Sequence, residues 1–361
     1  MKSKLYIVSL MLLALFIGCE SDDDKGPTGP GEYTPTDSTW SDGSGGWFVR
    51  LDATSYERYR YYNLDAREVV DISDQQAGAD DDWHIAFSRI NGKLNGGASG
   101  PIGIVGVDLA DIGHSDSINF DAVSSLPAIQ AEQWEEDVVN LVFDGWYLYT
   151  GPPEHKVLPT HNLFVMVTAV GNYAKVKVDT IKNPAREDPG TLTLKYVYQP
   201  DGSTDLSGQT QEVDLDASSG LAYWSFARGG SVEVLDPTTS LEWDLMFDGY
   251  EARINGGISG PGQASVYPMY LEINDFDAVV SAPQGGGYFA DAIQSIFGAP
   301  TVPGSEWYDY NPVVHEIISK GHIYILKLPG DQYFKLAIVN YYYVIEGQPQ
   351  SGWVTLRFKE L

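Results

Sequence analysis

The chain has 361 residues, of which 22 are Lys or Arg and 50 are Asp or Glu, so its formal net charge is −28. So acidic a surface repels phosphate backbones, which argues against nucleic acid as a partner, and it repels anionic lipid, so membrane attachment must come from an anchor. A single cysteine, Cys19, allows no intramolecular disulfide and leaves the folded part to be held by its core.

The first element is a targeting segment. Lys2 and Lys4 make a basic start, and Leu5 to Ile17 is apolar apart from Ser9. That run is too short to span a bilayer as a mature helix. It ends in Phe16-Ile-Gly-Cys19, which resembles a bacterial lipobox. The expectation is a lipoprotein signal peptide over residues 1–18 and lipidation at Cys19, with the membrane reached through that N-terminal lipid. Residues 19–46 carry Glu20-Ser-Asp-Asp-Asp-Lys25 and then Gly, Pro, Thr and Ser, the composition of a flexible acidic tether. The acid run resembles the export tag of lipoproteins sent to the outer face of the outer membrane. The expected location is the bacterial outer membrane, surface-exposed or periplasmic.

Beyond the tether the chain says the same thing twice. Trp83-His-Ile-Ala-Phe87 and Asn95-Gly-Gly-Ala-Ser-Gly-Pro101 recur as Trp243-Asp-Leu-Met-Phe247 and Asn255-Gly-Gly-Ile-Ser-Gly-Pro261, 160 residues later. Val49–Ala53 matches Val213–Ala217, Trp146-Tyr-Leu-Tyr149 matches Trp307-Tyr-Asp-Tyr310, and Tyr173-Ala-Lys175 matches Tyr333-Phe-Lys335. A period this long points to tandem domains and not to a solenoid. The expected domains are 47–198 and 212–361, each folding separately.

Short alternating runs split by turn residues predict an all-β fold. In chain order, Tyr61–Leu64 and Glu68–Val70 read as a hairpin, followed by the strand Trp83–Phe87. Leu163–Val170, Tyr173–Val178 and Thr191–Tyr198 read as a meander. Tyr223–Phe226 and Val232–Val234, Trp243–Phe247, then Ile323–Leu328, Tyr333–Val339 and Trp353–Phe358 repeat the order in copy two. Short helical pieces are predicted at Leu126–Gln133 and Ala290–Phe297. Asp80-Asp-Asp82 reads as a solvated loop. The Asn-Gly-Gly-x-Ser-Gly-Pro loops read as structural turns, because no Lys-Ser/Thr follows to bind a phosphate.

The combination of a Trp–acid–aliphatic–Phe strand, an Asn-Gly-Gly-x-Ser-Gly loop, a Trp-Tyr before a histidine, a Tyr-x-Lys strand and a Gly-x-Val-Thr closing strand resembles the HmuY family of bacterial haem-binding lipoproteins. The resemblance implies an antiparallel β domain in each copy. It also implies haem as the ligand and an outer-membrane haem transporter as the partner. It does not carry over the iron ligands, which differ between members.

The candidates must therefore come from the residues. Haem iron takes axial imidazole or thioether. His155 and His315 occupy matching positions after the Trp-Tyr signature, each followed by a second histidine, His161 and His322. Residues six apart on an extended strand lie roughly 20 Å apart, so a two-histidine site within one pair is disfavoured. One histidine with a methionine or an open position remains. Structural hydrogen bonding is the competing role for His155 and His315. Met166, Met246 and Met269 read as core or as iron ligands, and no metal is expected beyond haem iron. Trp146, Tyr149, Trp307 and Tyr310 are candidates for stacking on a porphyrin or a sugar. Enzymatic signatures are lacking: no Gly-x-Ser-x-Gly, no His-Glu-x-x-His, and no cysteine beyond the anchor. The reading is a non-enzymatic haem-binding envelope lipoprotein. The alternative is an adhesion, glycan-binding or scaffolding lipoprotein without haem.

Overall fold

The computed structural model describes residues 36–218, 220–298 and 306–361. The expected signal peptide, Cys19 and the expected tether up to residue 35 lie outside the described residues. Ordered structure begins before residue 47, where the tether was expected to end. Ser38–Ser41 forms strand β1, Trp40 stacks on Phe48 with ring centroids 5.5 Å apart, and Asp42 takes the Arg357 guanidinium at 2.9 Å. One aromatic and one buried acid among small polar residues suffice to pin this stretch.

Copy one continues with β2 (Trp47–Asp52), β3 (Arg60–Asn63), β4 (Glu68–Val70), β5 (Ile85–Ser88), β6 (Asn91–Leu94), β7 (Val105–Asp108), β8 (Val138–Asn140), β9 (Tyr147–Tyr149), β10 (Val157–Pro159), β11 (Phe164–Val167), β12 (Tyr173–Lys182) and β13 (Thr191–Gln199). Copy two repeats the series strand for strand: β14 (Gln211–Asp216), β15 (Leu221–Ser225), β16 (Gly230–Val232), β17 (Leu245–Asp248), β18 (Glu251–Ile254), β19 (Ser265–Tyr267), β20 (Ala292–Gln294), β21 (Tyr308–Asn311), β22 (Glu316–Ser319), β23 (Ile323–Leu328), β24 (Gln332–Ile345) and β25 (Gln348–Glu360). The fold is all-β, with antiparallel sheets. Of the expected helical pieces, the first keeps a 3-10 turn at Ala131–Gln133; Pro127 breaks what precedes it. The second is extended as β20, because the Asp291 carboxylate accepts the Ile254 and Val142 N–H groups and holds the chain straight.

The sheets are not assembled copy by copy. Strand β2 of copy one pairs with β25 of copy two, and the sheet runs β1-β2-β25-β24-β23-β7. Reciprocally, β14 of copy two pairs with β13 of copy one, giving β14-β13-β12-β11-β19. Among the described residues, the four-stranded pieces β4-β3-β5-β6 and β16-β15-β17-β18 and the hairpins β9-β10 and β21-β22 stay within one copy. The cores follow the sheets. One cluster joins Val49 through Ile104 to Ile296 through Phe358. The other runs from Phe143 to Val266 without interruption. The two copies have exchanged halves, and the sequence repeat is not the packing unit. Duplication permits this, because each interface inside one copy can be made by the equivalent strand of the other.

The chain crosses between cores at β8 and β20, which pair antiparallel with Val139 opposite Ile293. These are equivalent positions, so the crossover sits on the pseudo-twofold relating the copies. The Asn-Gly-Gly loops clamp it. Asn95 Nδ2 donates to the Asp80 and Trp83 carbonyls, and Asn255 Nδ2 to those of Ser240 and Trp243. The amide after each glycine pair donates into the crossover, Ala98 N–H to Asp137 O at 2.7 Å and Ile258 N–H to Asp291 O at 3.0 Å. The loops are structural, as their glycine chemistry suggested. Tyr-x-Lys is structural too. Lys175 Nζ donates to the Phe276 and Val279 carbonyls, and Lys335 Nζ to those of Phe120 and Val123. Each lysine ties its strand to a loop of the other copy.

Burial pushes the Asp137 carboxyl up to about 6, against hydrogen bonds that favour its charge. Between pH ~4 and ~6 the folded state therefore holds a proton that the unfolded chain has released. The stability this group contributes is complete below the lower value and is lost as the pH rises through the upper one. Asp137→Asn still accepts the Leu94 N–H and removes the titration. The dependence of the urea midpoint on pH should become flatter between 4 and 6 in that variant; an unchanged slope would contradict the assignment.

Candidate functional site

Two equivalent hairpins, β9–β10 and β21–β22, project the candidate residues. In the first, Tyr149 pairs with Val157 and Tyr147 with Pro159. Side chains alternate across a strand, so Tyr147, Tyr149 and Val157 share one face while Leu148 and Leu158 point the other way. The turn brings the chain back at His155, whose φ of 50° is the left-handed conformation, and whose N–H donates to Gly151 O at 2.8 Å. That conformation sets the imidazole beside the phenol, with Nδ1 hydrogen-bonded to the Tyr149 hydroxyl. The second hairpin repeats the arrangement. His315 has φ 55° and its Nδ1 lies 2.5 Å from the Tyr310 hydroxyl. Left-handed non-glycine residues mark places worth a functional hypothesis.

The surroundings of the two hairpins differ. Beside the first lies a cleft of about 660 Å³ lined by Tyr147, Tyr149, His155, Val157, the Pro184-Ala185-Arg186 loop and Tyr250. Tyr250 comes from copy two, in the turn between β17 and β18, and its hydroxyl donates to Ala185 O at 2.7 Å. The floor is aromatic: Tyr250 stacks on Trp146 at 6.2 Å and 18°, and packs against Tyr147 at 4.9 Å. The size fits the ~300–1,000 Å³ of ligand clefts. Beside the second hairpin, the longer β24–β25 ribbon folds over, and the Tyr342 hydroxyl accepts the Ile317 N–H at 2.9 Å. Tyr342 and Ile317 both pack against the core there.

The family model for HmuY protein matches residues 55–196 and 218–358. The chain belongs to the HmuY family. Its two HmuY segments are in tandem along the sequence, although their strands are exchanged in space. Among solved structures it is similar to a protein of Bacteroides vulgatus ATCC 8482, provisionally named HmuY-like and heme-binding, at 11% identity over 90% of this chain and 96% of that one, with a TM-score of 0.35. It is also similar to the apo HmuY analog of Tannerella forsythia, at 11% identity over 91% and 98%, TM-score 0.33. A third is a provisionally named lipoprotein of Bacteroides fragilis NCTC 9343, at 11% identity over 89% and 93%, TM-score 0.33. No curated protein matches the chain.

Within this HmuY pair the remaining candidates separate. Trp146 and Trp307 are each only 1% exposed, so they belong to the cores and are not free to stack on a ligand. Trp307 Nε1 donates to Ile90 O at 2.8 Å. Tyr149 and Tyr310 are about half exposed and can be reached. His161 is on the far side of β10 from His155, exposed and 3.9 Å from Asp179. His322 is held by Asp108, Nδ1 to Oδ2 at 2.7 Å. Neither shares a hairpin tip with its partner histidine. Met166, Met246 and Met269 are buried in three separate clusters. His114 Nδ1 accepts the Asp116 N–H.

His84 and Asp244, equivalent in sequence, do one job with different chemistry. The Asp244 carboxylate accepts both Ala169 N–H and Phe226 N–H. His84 Nδ1 accepts Leu64 N–H alone. The position matching Ala169 is Pro329, which has no N–H to offer. Each acceptor therefore matches the loop that the exchange brings to it. Sequence reading missed the contribution of Tyr250 and Arg186, because neither lies in a repeated motif.

Proposed function

We propose that this HmuY-family chain is a lipid-anchored, non-enzymatic haem-binding protein of the bacterial envelope, with haem held in the Tyr149–His155 cleft. The observation that carries the reading is the cleft itself. It offers an aromatic floor of Tyr147 and Tyr250, apolar walls from Val157, Pro184 and Ala185, and a tyrosine and a histidine at its edge. Haem needs apolar faces, an axial ligand and partners for its carboxylates. Arg186 is an exposed cation at that rim, on a chain whose net charge of −28 would otherwise repel those carboxylates. Transfer to an outer-membrane haem transporter is the corresponding proposal for the partner.

Hemin added to the purified chain lacking residues 1–19 should shift its Soret band. Arg186→Glu should weaken binding by about tenfold, since it puts repulsion where attraction was. A Soret band left at its free position would reject haem as the ligand. For the anchor, Cys19→Ser should move the protein from the membrane fraction to the soluble one. Retention of that variant in the membrane fraction would mean that something other than the lipid holds it.

A further inference from the structure

We propose that the iron ligand supplied by this cleft is the phenolate oxygen of Tyr149, with His155 as the base that takes its proton. The inference rests on the haem reading above and names the ligand within it. Three observations lead there. First, the pair and not the histidine alone is what the two copies share. Tyr149 and His155 are six apart and Tyr310 and His315 five apart, yet both turns bring imidazole Nδ1 to the phenol hydroxyl. Both histidines adopt the left-handed conformation to do so. Secondly, Tyr149 is on a paired strand, on the cleft side with Tyr147 and Val157, whereas His155 is on the turn. A ligand on a paired strand is held more precisely than one on a loop. Thirdly, the contact at Nδ1 lets the phenol donate to the imidazole; in the tautomer this assigns, the ring proton stands on Nε2, which then has no lone pair for iron.

The chemistry balances without a redox partner. The Tyr149 O–H bond breaks, its proton moves to His155 Nδ1, and the oxygen lone pair so freed is donated to ferric iron. Tyrosinate is an established haem ligand in other settings. His155 thus acts as a positioning residue that makes the phenolate available. Tyr310 and His315 hold the same pair, but it is Tyr149 and His155 that line the cleft of about 660 Å³, so the pair in copy one is the one that meets haem.

The test uses the full chain from residue 20, loaded with ferric hemin. Absorption and resonance Raman spectra should show a high-spin ferric haem with phenolate vibrations and a phenolate-to-iron charge-transfer band. Tyr149→Phe should abolish those features and weaken binding by at least tenfold. His155→Ala should keep the phenolate vibrations while weakening binding by a smaller factor. Tyr310→Phe should change neither. Both tyrosines are surface residues, and circular dichroism of each variant verifies its fold. If Tyr149→Phe keeps the parent spectrum and affinity while His155→Ala loses them, histidine is the ligand; this inference falls and the haem reading stands. If the parent chain never shifts the Soret band, both fall.

Discussion

Residues 138–291, expressed alone, should unfold in a single cooperative transition, while residues 47–198 alone should not. The first segment contains the whole cluster from Phe143 to Val266 and the satellite cluster from Leu163 to Ala282. It also keeps the sheet β14-β13-β12-β11-β19 intact. The second follows the sequence repeat and cuts both cores. It holds Val49 through Ile104 without Ile296 through Phe358, and Phe143 through Tyr196 without Leu215 through Val266. Such a fragment can close only by pairing β2 with its own β13. His84, with its one accepting nitrogen, would then face the Ala169 N–H that Asp244 now satisfies, in addition to Leu64 N–H. A buried N–H left unpaired costs about 1–3 kcal/mol, a large part of a domain's stability. Urea denaturation followed by tryptophan fluorescence decides it. A cooperative transition for 47–198 and none for 138–291 would refute the exchanged arrangement.

The second large effect lies in the glycine pairs. Gly97 and Gly257 have φ of 56° and 62°. A Cβ on Gly97 would sit 2.1 Å from Asp137 O, and one on Gly257 would sit 2.0 Å from Asp291 O. Those carbonyls are on the crossover backbone and cannot swing aside as a side chain would. Gly97→Ala or Gly257→Ala should cost about 3 kcal/mol or more, from strain and steric clash together. Gly103, at φ 73° with nothing within 4 Å of its Cβ position, is the control. Gly103→Ala should cost only about 1 kcal/mol, the price of the backbone conformation. Equal losses in thermal unfolding for Gly97→Ala and Gly103→Ala would show that the crossover contact contributes nothing.

The period-two patterns and the 160-residue repeat made the strands legible, because a half-buried strand writes its own alternation. Tyr61–Leu64, Ile323–Leu328 and Thr191–Tyr198 fall close to β3, β23 and β13. The exchange was not legible from motifs, for a physical reason: Val49–Ala53 and Val213–Ala217 present nearly the same face, so either could close either sheet. What distinguishes the pairings is a few unmatched residues, among them Asp244 with Ala169 and His84 opposite Pro329. The candidate site divides in the same way. Tyr149 and His155 stood out because both copies keep them. Tyr250 and Arg186 did not, since a cleft arises where the copies differ. Trp146 and Trp307 were misleading as stacking groups, because an aromatic kept in both copies suits a core as well as a binding surface.

The stoichiometry of hemin binding by the full chain tests the central claim most directly, that one cleft, in copy one and completed by Tyr250 of copy two, holds haem. The account predicts a Soret titration that breaks at one equivalent, unmoved by Tyr310→Phe with His315→Ala, and the same single equivalent on the segment 138–291. A break at two equivalents, or one abolished by the Tyr310 and His315 changes alone, would contradict it.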